Sequence, residues 1–327
     1  MQHNSSQPSQ DFRSGFIALL GRPNVGKSTL LNRLVGQKVA ITSPIAQTTR
    51  RRVSGILTLP SAQLIFIDTP GIHKPHHLLG ERLVRSACDV IGQVDCILFL
   101  VKAHEPPGRG DAFVANLLKR SQASVHVGLN HWDLVDPSQR DQQLSNYQQL
   151  MLGDVPSAEA SVPWSFHPIS ALTGFGIEHM VQSLITALPP GPCLYPEDTV
   201  SDQSEQMQLA ECIREQVLHL TREEVPHSVA VQIDRVEEVE RPTSKKGQKG
   251  GKDVVAVLAT ILVERQSQKA ILIGRGGQML RSIGSSSRRQ MEALLDRSVY
   301  LELFVKVVPH WRRNAARLAE LGYGSEE

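Results

Sequence analysis

The stretch from Gly21 to Ser28, GRPNVGKS, constrains the possible folds of this chain more than any other. It fits the pattern G-x-x-x-x-G-K-[ST], in which backbone N–H groups of a tight turn surround phosphate oxygens. The apolar residues 16–20 before it predict a buried strand, and leucines at helical spacing after it predict a helix. The alternative is an ordinary turn with an incidental lysine. The strand–turn–helix order favours a phosphate site, with Lys27 directed at the β- and γ-phosphates.

Composition narrows the class of protein. A length of 327 residues predicts about two domains. The four cysteines form no C-x-x-C pair, which argues against structural zinc and a disulfide framework and favours a reducing cytosol. Residues 1–14 are polar and predict a frayed tail rather than a signal peptide, and the longest apolar run, 96–101, is too short to span a bilayer. We therefore expect a soluble protein without a transmembrane segment.

Two segments after the first helix carry candidate metal and phosphate ligands. The apolar residues 64–67 predict a central strand that ends at Asp68, where ligands gather in open α/β sheets. An aspartate there can hold Mg²⁺ through water, and the N–H of Gly71 can meet a terminal phosphate. The polar segment before this strand contains Thr48 and Thr49. Taken alone it is better explained as a solvated loop. As a metal-binding loop it would use the hydroxyl of Thr49, with Thr48 as the second choice.

Strands and helices then alternate as far as residue 188, which predicts a mostly parallel sheet with helices on both faces. Two strand ends carry candidate base-binding residues. A carboxylate at Asp133 can accept both the ring N–H and the amino group of guanine, whereas adenine offers no such pair. Asn130 is expected to tie this loop to the phosphate loop, and Ser170 and Ala171 are expected to offer backbone N–H groups to the guanine carbonyl.

The second half of the chain differs from the first in composition and in the order of its predicted elements. Residues 189–205 are rich in proline and acid and predict a linker, and the residues after it predict an α+β module. Within that module a predicted helix end, the sequence Gly274-Arg-Gly-Gly277 and a new helix form the turn with which KH domains clamp single-stranded RNA. The alternative is a plain packing turn.

Local charge supports nucleic-acid binding by this module. Residues 265–313 contain ten Lys and Arg against three acids, whereas residues 1–205 contain 16 basic and 17 acidic residues. A concentrated positive charge is the footprint of a nucleic-acid surface. The basic, glycine-rich segment 241–252 is either a solvated loop or a site of nonspecific phosphate contact.

These motifs carry a family resemblance. The ordered set GRPNVGKS, AQTTR, DTPGI, NHWD and SAL resembles the five signature motifs of the translation-factor-related P-loop GTPases. His131 departs from that pattern, which has lysine there, and this bears on nucleotide affinity. The segments VPHSVAV, ERQSQKAILIGRGGQMLRSIG and VKVVPHWRRN extend the resemblance over nearly the whole chain, to the Era family of ribosome-assembly GTPases.

The resemblance implies an α/β P-loop GTPase domain over 15–188, a linker over 189–205 and an α+β KH domain over 206–327. It implies GTP and GDP as ligands, Mg²⁺ as cofactor, and K⁺ as a further ion because related GTPases with asparagine at position 24 place potassium against the phosphates. Intrinsic hydrolysis is predicted to be slow, since Ile72 stands where Ras-like GTPases have a glutamine that orients water.

The implied partners are small-subunit ribosomal RNA near its 3′ end and the small ribosomal subunit during its maturation. A cytoplasmic monomer with a peripheral membrane fraction is expected. Three other functions stay open on the sequence: a GTP-bound RNA chaperone with incidental hydrolysis, an ATP-driven RNA remodeller, which Asp133 argues against, and a membrane-associated cell-cycle GTPase.

The resemblance also assigns the site residues. Nucleotide contacts are expected at Gly21, Arg22, Pro23, Asn24, Val25, Gly26, Lys27, Ser28, Asp68, Thr69, Pro70, Gly71, Ile72, Asn130, His131, Trp132, Asp133, Ser170 and Ala171. Catalytic roles are expected for Asn24, Lys27, Thr49 and Gly71, and the magnesium ligands are expected to be Ser28, Thr49 and Asp68. RNA contacts are expected at Gly274, Arg275, Gly276, Gly277, Arg281, Arg288 and Arg289.

Overall fold

A computed structural model describes residues 12–43, 45, 48–71, 78–153, 164–239 and 254–323. Most of the predicted N-terminal tail, Ile72 and the basic segment 241–252 lie outside these ranges. The chain divides into two compact units between Asp202 and Gln203.

The first unit is built on a six-stranded sheet. Its strands are β1 (Arg13–Gly21), β2 (Val53–Leu59), β3 (Ala62–Asp68), β4 (Cys96–Lys102), β5 (Ser124–Asn130) and β6 (Trp164–Pro168). They lie in the order β2-β3-β1-β4-β5-β6, and all neighbours are parallel except β2 and β3. The β2–β3 pair is antiparallel because only Pro60 and Ser61 join the two strands. The predicted mostly parallel sheet is confirmed.

Five helices cover the two faces of this sheet. They are α1 (Lys27–Val35), α2 (Leu78–Ile91), α3 (Arg109–Leu118), α4 (Arg140–Leu152) and α5 (Ile177–Ala187). Successive residues of β1 point to opposite faces, so Leu19 joins the core beneath α1 and α5, and Leu20 joins the core beneath α2, α3 and α4. Because all strands of this sheet except β2 run in the same direction, their carboxyl ends lie along one edge, where the phosphate loop follows β1.

Three boundaries differ from the sequence-based expectations. β1 begins at Arg13, inside the predicted tail. The polar residues 136–150 predict one long helix, but α4 begins only at Arg140, because Asp136 accepts a hydrogen bond from the Ser138 N–H and starts a separate 3₁₀ turn. Residues 189–202, predicted as linker, pack on the first unit, where the side chain of Gln63 hydrogen-bonds the backbone of Leu194 and Tyr195.

The second unit has a three-stranded sheet backed by helices. In chain order its elements are α6 (Glu205–Leu220), α7 (Val225–Ser228), β7 (Ala230–Val239), β8 (Val254–Val263), α8 (Gln266–Ile273), α9 (Gln278–Leu295), β9 (Ser298–Val307) and α10 (Ala315–Glu320). β7 and β8 are antiparallel, and β8 and β9 are parallel, joined by the crossover through α8 and α9. Apolar residues of α6, α8 and α9 pack against one face of the sheet, and they form one core with Val257 and Ile261 of β8.

Candidate nucleotide site and nucleic-acid interface

The phosphate loop leaves β1 and enters α1 through a backbone conformation that excludes side chains. Gly26 has φ +94°, and a Cβ at this position would lie 2.3 Å from Nδ2 of Asn130. That Nδ2 donates to the carbonyl of Val25 at 2.8 Å, which holds the loop against the end of β5. The predicted tie between Asn130 and the phosphate loop is therefore present in the structure.

Lys27 is buried within this loop, 6% exposed, with Nζ 3.4 Å from the Gly21 carbonyl and 3.3 Å from the Arg22 carbonyl. Burial lowers the pKa of the Lys27 ammonium, and the carboxylate of Asp68 partly offsets this. Burial likewise raises the pKa of Asp68, against the opposing effect of Lys27. Two buried opposite charges thus face the position where phosphates would bind, and a phosphate would pair with Lys27 and a metal cation with Asp68.

Three oxygen-bearing side chains converge beside Lys27. The Ser28 hydroxyl donates to Oδ2 of Asp68 at 2.7 Å, the Thr49 hydroxyl lies 3.0 Å from the same oxygen, and the two hydroxyls are 3.0 Å apart. The second carboxylate oxygen, Oδ1 of Asp68, is buried without a hydrogen-bond partner among the described residues. Mg²⁺ prefers oxygen ligands, so this cluster fits a magnesium ion.

The neighbouring Thr48 is directed elsewhere. Its hydroxyl donates to the Ile45 carbonyl at 2.6 Å, whereas Thr49 reaches Asp68. The geometry therefore favours Thr49 over Thr48 as the metal ligand. Both threonines, with Asn24, Lys27 and Gly71 among others, line a cavity of about 60 Å³ at the mouth of the loop. Asn24 has φ +61°, a left-handed conformation that Asn tolerates better than most residues.

At the base end, Asp133 is exposed and forms no hydrogen bond or ion pair with any described residue. The N–H groups of Ser170 and Ala171, unlike the Asp133 carboxylate, have hydrogen-bond partners in the protein. Ala171 donates to Oδ1 of Asn130 at 2.9 Å and Ser170 donates to the Phe175 carbonyl at 3.0 Å. In this structure the loop uses both N–H groups to hold itself in place, so their contact with a guanine carbonyl stays a prediction.

Several residues expected to contact nucleotide direct their side chains into the protein. Arg22 forms ion pairs with Asp111, at 2.8 Å, and Glu105. The Thr69 hydroxyl donates to the Leu19 carbonyl, and the side chains of Val25 and Trp132 belong to the two cores. The nucleotide contacts predicted at these four positions would therefore be made by backbone groups. Their backbone groups remain at the site, as do Pro23 and Gly71, which lie against each other, and Pro70 beside Gly71.

His131, which replaces the family lysine, lies between the phosphate loop and a second histidine. A Cβ on Gly26 would be 3.9 Å from its Nε2, and its ring meets that of His104 edge-on at 5.1 Å between centroids. Burial lowers the pKa of the His131 imidazole, and the nearby His104 adds to this effect. A neutral imidazole therefore packs where the family pattern has a charged lysine.

Two supporting residues have no signature in the sequence. Arg33 of α1 donates to the carbonyl of Ala171 at 2.6 Å and also to that of Leu172, and so fixes the base-side loop. Asn32, one residue earlier, accepts from the N–H groups of Val39 and Ala40. In the sequence, these two residues are recognisable only as polar positions opposite the leucines of α1, and this pattern does not identify their hydrogen-bond partners.

In the second unit, α8 and α9 are joined by the four-residue turn Gly274–Gly277, in which three residues are glycines with positive φ. Gly274, Gly276 and Gly277 have φ of +70°, +57° and +77°. A Cβ on Gly274 would lie 2.7 Å from Cβ of Met279, so only glycine fits there. Arg275, between the glycines, is exposed. The predicted helix–GxxG–helix arrangement is present.

The predicted basic residues of α9 all lie on its exposed side. Arg281 donates to the Gly276 carbonyl and thereby braces the turn. Arg288 lies 4.0 Å from Glu292, an exposed ion pair of little strength, and Arg289 contacts Ser285 and Ser286 at 3.4 Å. Ile283, on the opposite side, is fully buried. The helix thus presents one apolar face to the core and one basic face to solvent.

A phosphate loop after β1, a hydroxyl–carboxylate cluster beside it, a carboxylate at the base end and a separate GxxG unit together define a P-loop GTPase joined to a KH domain. Two family profiles match, described as a 50S ribosome-binding GTPase over residues 16–131 and a KH domain over residues 224–312. The chain is 53% identical to the GTPase Era of Nostoc sp., over 98% of this chain and 93% of the relative. It is 50% identical to that of Synechocystis sp., over 97% and 94%.

The chain belongs to the Era family of GTPases, as the sequence resemblance predicted. It is also similar to the crystal structure of Era in complex with MgGDPNP and nucleotides 1506–1542 of 16S ribosomal RNA. That similarity has a TM-score of 0.85 and 38% identity, and it covers 96% of this chain and 99% of the solved one. In the described ranges no helix is both long enough and apolar enough to cross a membrane.

Proposed function

We propose that this GTPase is a molecular switch that binds small-subunit ribosomal RNA near its 3′ end and acts in maturation of the small ribosomal subunit. The observation that carries the proposal is that one chain holds both the Ser28–Thr49–Asp68 cluster beside Lys27 and the glycine turn between α8 and α9. The solved Era complex with 16S ribosomal RNA supports the choice of RNA. The GTPase domain would span 15–188 and the KH domain 206–327.

In the proposed reaction the chain's own residues mainly position and neutralise charge. Lys27 would bind the β- and γ-phosphates, and Ser28, Thr49 and Asp68 would hold Mg²⁺, which supplies positive charge at the phosphate oxygens. The backbone N–H of Gly71 would contact the γ-phosphate. Thr49 reports the presence of that phosphate because it comes from a loop rather than from the sheet.

Asp133 would select guanine, and its substitution tests the nucleotide assignment. In Asp133→Asn the amide should weaken GTP binding by about 10²-fold or more and improve binding of xanthosine triphosphate. Asp136→Asn is the matched control, because Asp136 is an exposed aspartate three residues away whose side chain, among the described residues, hydrogen-bonds only Ser138. Unchanged GTP affinity in Asp133→Asn would contradict the assignment.

The RNA assignment is tested by crosslinking the full chain to RNA in cells and sequencing the bound fragments. Fragments from the 3′ end of small-subunit ribosomal RNA are expected. Fragments mainly from large-subunit RNA would favour the function that the 50S description of the GTPase profile suggests. We further propose that the protein is a cytoplasmic monomer. The four free cysteines support the cytoplasmic compartment, because thiols stay reduced there. A peripheral membrane fraction rests on the family resemblance alone.

A further inference from the structure

A second basic site lies in the KH unit, away from the glycine turn. It is a cavity of about 360 Å³ lined by Glu264, Arg265, His310, Arg312 and Arg313. Its volume lies within the range of small-ligand pockets. It opens beyond the carboxyl ends of the parallel strands β8 and β9, which remain joined there by the hydrogen bond from the Val308 N–H to the Val263 carbonyl at 2.8 Å.

The walls of this cavity are held rigidly. Trp311, between the lining residues, is fully buried, and its indole N–H donates to the Ser228 carbonyl at 2.9 Å. On the other wall, the buried Gln268 accepts from the backbone N–H groups of Glu264 and Arg265. Both lining segments are therefore fixed by buried side chains, which sets the positions from which the charged side chains extend.

The charge of the cavity is unbalanced. Its one acid, Glu264, is already paired with Arg312. Arg265 and Arg313 are exposed and form no ion pair with any residue in the described ranges, and His310 lies beside them. Two uncompensated guanidinium groups on one concave surface attract an anion, and guanidinium matches phosphate geometry in particular.

We propose that this cavity binds a backbone phosphate of RNA outside the strand held by the Gly274–Gly277 turn. The inference rests on the proposed RNA-binding function. The cavity and the turn lie at opposite ends of α8, whose eight residues span about 12 Å. At roughly 3.4 Å for each stacked nucleotide, about four nucleotides cover that distance. An RNA strand leaving the turn can therefore reach the cavity, which extends the footprint beyond the clamp.

The test measures binding of the full-length protein to two RNAs by fluorescence anisotropy. One is a four-nucleotide RNA that fills only the clamp, and the other carries the same core extended on both sides. In the double variant Arg265→Gln/Arg313→Gln, affinity for the long RNA should fall about tenfold. The slope of log K against log salt should fall by up to about 0.7, for one lost phosphate contact on a single strand. Affinity for the short RNA should not change, which also shows that the unit is folded.

Arg235→Gln/Arg297→Gln is the matched control. It removes the same charge from exposed ion pairs with Glu237 and Glu238, beside the middle and the start of β8, and should leave both affinities unchanged. Equal binding of the long RNA by wild type and Arg265→Gln/Arg313→Gln would overturn the inference, as would an equal loss on both RNAs. If the double variant lost binding only to phosphatidylglycerol vesicles, the cavity would belong to lipid headgroups instead. Failure of wild type to bind either RNA would refute the proposed function itself.

Discussion

The candidate nucleotide site and the proposed RNA surface of this chain differ in how their charges are held. Lys27 and Asp68 are 6% and 0% exposed and face each other within a network of hydroxyls. Arg275, Arg281, Arg288 and Arg289 are exposed, and the contacts that three of them make are to the same or the adjoining helical turns. Buried charges act together and are costly to leave unpaired, whereas exposed charges act nearly independently and are screened by salt.

This difference predicts how each site fails. Substitutions in the buried cluster should cause large losses of activity whose free energies are not additive, because the members hydrogen-bond one another. Substitutions on the RNA surface should add in free energy and lose their effect at high salt. The predictions below are ordered from the largest expected effect to the smallest.

The largest effect is expected from reversing charge at the glycine turn. Arg275→Asp/Gly276→Asp places two carboxylates against RNA phosphates and should reduce RNA affinity by more than about 10³-fold. Position 276 faces open space, so no packing is disturbed there, although its φ of +57° strains any side chain. GTP hydrolysis measured without RNA should stay at the wild-type rate. A matching fall in hydrolysis would show that the two sites are not separable.

The next largest effect is expected from substitution of Thr49, for which the adjacent Thr48 provides a matched control. Thr49→Ala removes the hydroxyl 3.0 Å from Asp68 and should slow hydrolysis by about 10²-fold. Thr48→Ala removes a hydroxyl that donates to the Ile45 carbonyl and should change the rate less than about threefold. Single-turnover hydrolysis at saturating GTP and Mg²⁺ measures both. The reverse order would assign the metal to Thr48.

Potassium should accelerate hydrolysis relative to sodium by about tenfold, below the 10³–10⁵-fold effect of a full arginine finger. The position after Gly71 is Ile72, which cannot orient water, so the ion would supply part of the missing stabilisation. Asn24→Gly should erase the difference. Glycine is the correct replacement because it adopts the φ of +61° without strain. Equal and fast rates in matched potassium and sodium buffers would mean that another residue orients the water.

Burial in the first unit also predicts an acid sensitivity. His126 and His167 on neighbouring strands β5 and β6 are 3.0 Å apart between Nδ1 and Nε2, and burial lowers the pKa of each to about 4. Unfolded histidine has a pKa near 6.5, so the folded state binds fewer protons below that pH. The contribution of these two histidines to the free energy of unfolding is fully present above pH 6.5 and is lost as the pH falls towards 4.

Urea unfolding at pH 7 and pH 5 measures this loss, which should be of the order of 2 kcal/mol. His126→Leu/His167→Leu removes both titrating groups together and should flatten the pH dependence. The same fall in stability in this variant would place the acid sensitivity elsewhere.

The fold was largely predictable because the strands of the first unit are apolar runs bounded by turn residues. The failures have local causes. The apolar period of α6 predicts a helix only from Leu209, because its first turn, Glu-Gln-Met-Gln, has no such period and does not indicate the cap at Ser204. α7 and α10 contain four and six residues, too few for a helical period to be recognised.

The candidate site was predictable in its backbone but not in its side-chain directions. The motif letters placed Lys27, Ser28 and Asp68 at one sheet edge, because the carboxyl ends of parallel strands meet there. The same letters could not show that Trp132 points into the core or that Arg22 pairs with Asp111. Nor could they show the anchoring role of Arg33, since its partners lie 138 and 139 residues away.

The central claim is that the nucleotide bound at the buried site controls the exposed one. The most direct test is the affinity of the full-length protein for a small-subunit 3′-end RNA, measured in parallel with GDP and with a non-hydrolysable GTP analogue. We predict at least about fivefold tighter RNA binding with the analogue and Mg²⁺, and by linkage RNA should tighten the analogue by the same factor. Equal RNA affinity in the two nucleotide states would contradict the account.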